Sequence, residues 1–358
     1  MIDIVNAFRE RFEKRILMTG KLNKRNKDLD TDVRVIKMKT YDRSNVINRS
    51  LSWIIGFFEA LFIIKFRYRS SHLFLVSNPP FLPLVPLFCK NSFSMLIYDI
   101  YPDIIVENGY ARPDAFYISF WKKANEKVFK KAQNIYTLTD GMKEVLGRYT
   151  EDTRIKVIPI WTDNDFLKPL PKKDNIFLRS NNLLDQFIVL YSGNLGASQN
   201  AEIIIELASR IKLDKIKFII VGQGANKQKI EKLLEKKKLS NCEVLPWQST
   251  ETFPYVLASA DVSIVSLDEK ASSLGIPSKF YNYLSVGSPI LCISDKQSDL
   301  AKMVRKYEVG ECFNHHEIDE MCGFIEILYK FPDQRQVFYN NSLKTSSIFN
   351  PDNAKLFL

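Results

Sequence analysis

The chain has 358 residues, 46% apolar and 12% aromatic, and no low-complexity tract. That is too long for one ordinary core and rich enough for two, which excludes a disordered chain, and no repeat at a solenoid period occurs. The net charge of +10 resides in the first half: residues 1–160 hold 27 Lys/Arg against 17 Asp/Glu, whereas the remainder balances at 24 and 24.

A basic half points to an anionic partner (a membrane surface, a lipid phosphate or nucleic acid) or simply to a solvated face. Five cysteines (Cys89, Cys242, Cys292, Cys312 and Cys322) form no CxxC pair and fall mostly in apolar runs. They read as small hydrophobes in a reducing compartment. Met1–Lys14 is charged and amphipathic, unlike a signal peptide.

In chain order, Arg15–Thr19 and Val33–Met38 read as strands. Leu51–Tyr68 reads as a long apolar, buried helix with a basic tail, Lys65, Arg67 and Arg69. Its apolar run Leu51–Phe66 is interrupted by Glu59 and falls short of the ~20 residues of a membrane span. His72–Ser77 is a strand closed by Asn78-Pro79-Pro80, and Phe93–Ile97 leads into Tyr98-Asp99-Ile100-Tyr101-Pro102-Asp103. Ala124–Lys131 and Gly141–Tyr149 read as helices, and Asn134–Leu138 and Ile155–Ile158 as strands.

The segment Trp161–Gln186 is polar, contains Pro169 and Pro171, and reads as a join. Beyond it, strands are expected at Phe187–Tyr191, Lys217–Val221, Cys242–Leu245, Asp261–Ser266 and Pro289–Ile293. Helical spacing appears at Ala201–Ile211, Gln228–Leu239, Thr252–Ala260, Ser278–Val286, Ser298–Tyr307 and Glu317–Tyr329, with a last candidate at Asp352–Leu358. Nearly all-apolar strands alternating with helices predict parallel sheets covered on both faces. The fold class is therefore α/β, as two doubly wound domains. The expected divisions are 1–165, 166–345 and a tail, 346–358, packing back towards the first domain.

Ligands of such sheets sit beyond the carboxyl ends of the strands. Gly193-Asn194-Leu195-Gly196 and Gly222-Gln223-Gly224 each follow a strand and open a helix. Each suits either a ligand approaching the backbone or a plain tight turn. The second lacks the last small residue and the acidic partner of a dinucleotide fingerprint. A third place says more. The loop Asp268–Gly275 is followed by Ile276-Pro277-Ser278-Lys279, a helix, and Gly287-Ser288-Pro289. Pro277 and Ser278 open helices well, but a lysine in the first turn opposes the helix dipole. A phosphate sharing the site explains Lys279 better than solvation does.

This arrangement resembles the family 4 glycosyltransferases of GT-B fold, in particular their bacterial surface and capsular polysaccharide branch, which reads PSK-x-Y-x-x-L-x-x-G-x-P. Here stand Pro277, Ser278, Lys279, Tyr281, Leu284, Gly287 and Pro289. Tyr191–Gly196, Val157–Asp163, Thr139–Glu144, Asp99–Asp103 and Ser77–Pro80 resemble further family loops, and the similarity spans Arg15 to Gly310.

The resemblance implies two Rossmann-like domains facing a cleft and a retaining transfer from a nucleoside-diphosphate sugar to a lipid-linked saccharide. It implies donor contacts at Gly193, Asn194, Gly222, Trp247, Gly275, Ile276, Pro277, Ser278 and Asn282. Lys279 supplies charge to the distal phosphate, and Asp99 serves the acceptor. Positioning and leaving-group stabilisation carry such catalysis, without a hydrolase's paired carboxylates and without a cofactor or metal. With the basic first half, it implies a cytoplasmic protein peripheral on the inner face of the cell membrane, with an anionic lipid surface rather than nucleic acid as partner.

Three departures accompany the match. Leu274 and Asn282 stand where the family often has a glutamate pair. Asn194 and Asn200 replace an arginine and a lysine. Family members also begin with a strand and a Gly-rich loop ahead of the helix that Met1–Phe12 represents. These departures keep open the alternative of a non-catalytic or impaired nucleotide-sugar-binding partner. A GT-B nucleotide-sugar 2-epimerase would need acidic and histidine groups, and the chain has 3 histidines.

Other patterns carry less. Asp163-Asn164-Asp165 has the DxD form of a metal-dependent transferase but lies in the join, not at a sheet edge, and Asp30-Thr31-Asp32 carries less still. Adjacent His315 and His316 point apart, and His72 opens a strand. Lys236-Lys237-Lys238 ends a helix, as its dipole favours.

Overall fold

The computed structural model describes residues 1–22, 24, 27–42, 46–107, 109–196, 199–268 and 275–358, without the side chains of Val46 and Asp152. It divides into two compact units: Met1–Pro159 with Asp352–Leu358, and Ile160–Pro351.

The first unit contains α1 (Ile2–Ala7), β1 (Ile16–Thr19), β2 (Arg34–Lys37), α2 (Val46–Arg67), β3 (Leu73–Val76), β4 (Phe93–Leu96), α3 (Asp103–Glu107), α4 (Phe116–Phe129), β5 (Asn134–Thr137), α5 (Asp140–Leu146) and β6 (Ile155–Val157). A 3-10 helix, Leu82–Leu87, lies between β3 and β4. Strands β3-β4-β5-β6 form one parallel sheet, and β1-β2 pair separately, also in parallel. Arg15, nearly fully buried, anchors the β1–β2 region by bonding Asp30 at 2.9 Å and Asp32 at 2.6 and 2.7 Å. The Asp30-Thr31-Asp32 carboxylates are thus committed to an internal ion pair.

The second unit contains α6 (Ile176–Ser180), β7 (Phe187–Ser192), α7 (Ile203–Arg210), β8 (Ile216–Val221), α8 (Lys227–Lys237), β9 (Cys242–Leu245), α9 (Phe253–Leu257), β10 (Val262–Ser266), α10 (Ser278–Ser285), β11 (Ile290–Ile293), α11 (Asp299–Tyr307), β12 (Gly310–Phe313), α12 (Ile318–Lys330) and α13 (Pro332–Ser346). Its six-stranded parallel sheet runs β12-β11-β10-β7-β8-β9. The order reverses between β7 and β10, the doubly wound pattern whose ligands lie at that switch point. Every residue of β7, β10 and β11 is buried, because helices cover both faces. Short polar side chains start the helices as their chemistry favours: Thr139 accepts the Met142 N–H at 3.2 Å, and Ser298 accepts that of Ala301 at 3.1 Å.

Several expectations shift. The chain enters the second unit at Ile160 rather than after residue 165, because Thr162 N–H bonds Phe349 O at 3.3 Å and Asn164 bonds Ser346 O at 2.9 Å. The tail joins the first unit only from Asp352, where the Phe357 ring sits 4.8 Å from Tyr136 and 5.7 Å from Phe74. β12 and α13 carried too weak a period to be read from sequence. α4 begins eight residues earlier than expected, because Phe116, Tyr117 and Phe120 face outward and blur its amphipathic pattern.

α2 departs most. It has 22 residues, and its stretch Ile47–Arg67 is long and apolar enough by composition to cross a membrane, yet only 22% of the apolar 18-residue window within it is buried. It is neither short of a span nor a core helix.

Candidate functional site

In the second unit, the loops after β7 and β8 pack backbone against backbone. Gly193 N–H bonds Val221 O at 2.9 Å, and Leu195 N–H bonds Gln223 O at 2.8 Å. A Cβ on Gly222 would lie 2.0 Å from Gly193 O, and one on Gly224 would lie 2.5 Å from Leu195 O. Loop packing alone therefore demands glycine at 222 and 224. Gly193 differs: a Cβ there would stand 3.0 Å from both Cε and Nζ of Lys279. That glycine makes room for the lysine.

α10 begins after Pro277, with exposed Ser278 at its first position and Lys279 at its second. The Lys279 side chain turns inward and is 9% exposed. Its Nζ lies 3.9 Å above the Tyr191 ring and donates to Gln199 Oε1 at 3.0 Å. No carboxylate among the described residues pairs with it, and burial lowers its pKa to about 7. Burial of an ammonium with only a ring face and an amide oxygen costs free energy that an anion at this spot would offset.

Tyr283, one helical turn on from Lys279, fixes α10 to the strand end. Its hydroxyl accepts the Ser192 N–H at 2.7 Å and donates to Ser192 O at 3.2 Å. Asn282 is half-buried; its Oδ1 accepts the Thr162 hydroxyl at 2.7 Å, leaving its amide NH2 without a partner among the described residues. Other motif positions are structural. Tyr281 meets the Phe349 ring edge-on at 5.0 Å. Gly287 has φ +78°, and a Cβ there would lie 2.6 Å from the Tyr339 ring.

Gly275 adopts φ +123° just before α10, and Ile276 is buried among Phe280 and Leu284. Asn194 is exposed, with its carbonyl accepting the Tyr191 hydroxyl at 2.8 Å. Trp247 is half-exposed after edge strand β9. Leu274 lies outside the described residues, as do Glu269–Ser273 of the same loop. Lys279, Gly193 and Gly275 thus collect at the β7/β10 switch point, whereas Trp247 stands beyond the sheet's far edge. Sequence reading missed Tyr191, Gln199, Tyr283 and Thr162. Tyr283 was findable, since it stands four residues after Lys279 on the same helix face.

The first unit holds Asp99. It follows β4, and its N–H and that of Tyr98 both bond Ser77 Oγ, at 3.1 and 2.9 Å. The Ser77–Pro80 and Asp99–Asp103 loops therefore meet at neighbouring strand ends. Burial raises the Asp99 pKa above the usual carboxylate value. Asp103 is structural: it accepts the Tyr149 hydroxyl and pairs with Lys122 at 3.3 Å.

Asp163 Oδ1 accepts the N–H groups of Asp165 and Phe166, each at 3.1 Å, so that DxD closes a turn. His72 bridges Ser92 and Ser94 at 3.0 and 3.2 Å.

Residues 172–345 match the family model described as Glycosyl transferases group 1. The chain is 22% identical over 287 residues to the Probable glycosyltransferase WbjE of Pseudomonas aeruginosa, covering 78% of this chain and 71% of that one. It is 29% identical over 151 residues to a glycosyl transferase named for colanic acid biosynthesis, WcaI of Escherichia coli K12, covering 42% of this chain and 37% of that one. The crystal structure of Anabaena Alr3699/HepE in complex with UDP matches with TM-score 0.73 at 13% identity, over 99% of this chain and 93% of that one. The fold is GT-B, with two Rossmann-like domains. The chain is a glycosyltransferase, and its match to the group 1 model lies within the second unit.

Proposed function

We propose that this glycosyltransferase is a retaining family 4 enzyme of surface or capsular polysaccharide synthesis. It transfers a sugar from a nucleoside-diphosphate donor to a lipid-linked saccharide at the cytoplasmic face of the membrane. The buried ammonium of Lys279 at the switch point, paired with no carboxylate among the described residues, carries the reading. A diphosphate supplies the anion this geometry lacks, and UDP bound to the similarly folded HepE supports that ligand class.

Transfer breaks the bond from the anomeric carbon to the diphosphate oxygen and forms one to the acceptor oxygen. The acceptor proton passes to the departing phosphate. Negative charge grows on the leaving oxygen, so Lys279 and the free N–H groups at the start of α10, with those of Gly275 and Ile276, stabilise the transition state. Gly193 and Asn194 border the same diphosphate; Gly222, Trp247 and the free amide of Asn282 serve ribose and base. Asp99, its pKa raised by burial, accepts the acceptor hydroxyl and orients it. Lysine and backbone amides carry the charge, so the reaction needs no metal ion.

A panel of UDP-, GDP- and TDP-sugars with a lipid-linked acceptor tests this. One donor is expected to be turned over in EDTA, and Lys279→Ala to reduce turnover by about 10²–10³-fold with the fold retained. Near-normal turnover by Lys279→Ala would remove the lysine from the site. Donor binding without turnover of any donor would restore the partner alternative.

A further inference from the structure

The inner face of α2 is packed onto the first unit. Ser52, Ala60 and Ile64 are buried, the Trp53 ring meets Phe81 at 6.0 Å, and Glu59 accepts the Lys39 backbone N–H at 2.8 Å. The outer face is just as apolar. Ile47, Leu51, Ile54, Phe58, Phe62 and Phe66 recur at steps of three or four and form one broad stripe. All six are exposed, Phe58, Phe62 and Phe66 by 61%, 62% and 64%. The Phe62 and Phe66 rings lie 4.6 Å apart, an exposed aromatic pair.

α4 repeats the theme. Phe116 and Phe120, 86% and 75% exposed, lead along one helix face into exposed Lys123, Lys127 and Lys130. Both helices pack on the same 3-10 segment, Leu82–Leu87. A contiguous apolar stripe of this extent marks a surface that meets another apolar phase.

Charge selects the occupant. Between Val46 and Arg69 stand Arg49, Lys65, Arg67 and Arg69, and the one acid, Glu59, is bonded inward. A second copy of this chain would set cations against cations. An anionic bilayer uses both features, taking the apolar stripe among its acyl chains and the cations at its headgroups. At about 33 Å the helix is long enough to cross hydrocarbon, but its packed inner face leaves only one side for lipid.

We infer that α2 is an in-plane docking helix. Its Ile47–Phe66 stripe enters the interfacial layer of an anionic membrane, while Lys65, Arg67, Arg69 and the α4 lysines engage the lipid headgroups. This deepens the proposed membrane-face function and rests on it only for the purpose of docking, which is access to a lipid-linked acceptor.

Flotation of the full chain with phosphatidylcholine vesicles, with and without phosphatidylglycerol, tests the inference. The expected result is binding to the anionic vesicles that high salt weakens. Combined Phe58→Ser, Phe62→Ser and Phe66→Ser changes should reduce it at least tenfold, as should combined Lys65→Gln, Arg67→Gln and Arg69→Gln. Both variants should keep the wild-type melting temperature and UDP affinity. Alkaline carbonate should release the bound protein.

Unchanged flotation of the phenylalanine variant overturns the inference. Carbonate resistance overturns it in favour of a spanning helix. A lipid-free dimer that the phenylalanine variant converts to monomer overturns it in favour of self-association. Absence of vesicle binding with intact UDP binding removes the docking helix and leaves donor transfer standing. Loss of UDP binding by the unaltered chain would instead count against the proposed function.

Discussion

Lys279 concentrates the proposed chemistry at the residue scale. Unfolded, a lysine holds its proton to about 10.5; in the folded, unliganded chain it holds it only to about 7. Between those values the unfolded state binds more protons, so the contribution to stability rises with pH across that window. Anion binding runs the other way, because the phosphate needs the charged form. We expect UDP affinity to fall by up to about tenfold per pH unit above pH 7. Calorimetric titration from pH 6 to 9 checks this. Lys279→Met should bind weakly with a flat profile over the same range, and an equal slope in wild type and variant would assign the titration elsewhere. The sequence marked this lysine as misplaced for a helix start. It could not show that the side chain turns onto Tyr191, since that depends on Gly193 leaving space in the distant loop after β7.

Elements decide how the lysine is held. α10 is joined to β7 by Tyr283, and β7 to β8 by loops that touch through glycine. Gly222→Ala puts a methyl group against the Gly193 carbonyl, an overpacking that costs about 1–3 kcal/mol. At roughly 2–4 °C per kcal/mol for a unit of this size, thermal melting should show the loss, and UDP affinity should fall with it. A wild-type melting curve would show that the loops can separate freely. Tyr283→Phe leaves the buried Ser192 N–H without an acceptor and should cost about 1–3 kcal/mol, read in the same assay. Gly222 was legible as a glycine at a strand end, but its reason was not. The sequence offered ligand approach or a tight turn, and the structure adds a packing reason, close contact with the Gly193 carbonyl.

At the scale of the whole molecule, the chain crosses between units twice. Its last residues return to the first unit, where Phe357 is buried against Phe74 and Tyr136. Phe357→Ala should cost about 3–5 kcal/mol. In scanning calorimetry it should lower the transition of the first unit while leaving unchanged the one that UDP raises. A shift of the UDP-sensitive transition alone would contradict the division. The fold class and most strands of the second unit were legible from sequence alone, because strands buried on both faces leave continuous apolar runs. The PSK-x-Y segment pointed to the proposed switch-point site for a related reason: loop and helix follow one another in the chain. α2 was misread, because apolar composition is the same whether a side chain meets core or nothing. Composition and periodicity determined that this chain is an α/β protein of two units, and a lysine at the start of a helix pointed to the proposed anion site. Which groups surround Lys279, which glycines serve packing, and which apolar face is exposed were decided only by tertiary structure, since each depends on segments distant in sequence being brought together or kept apart.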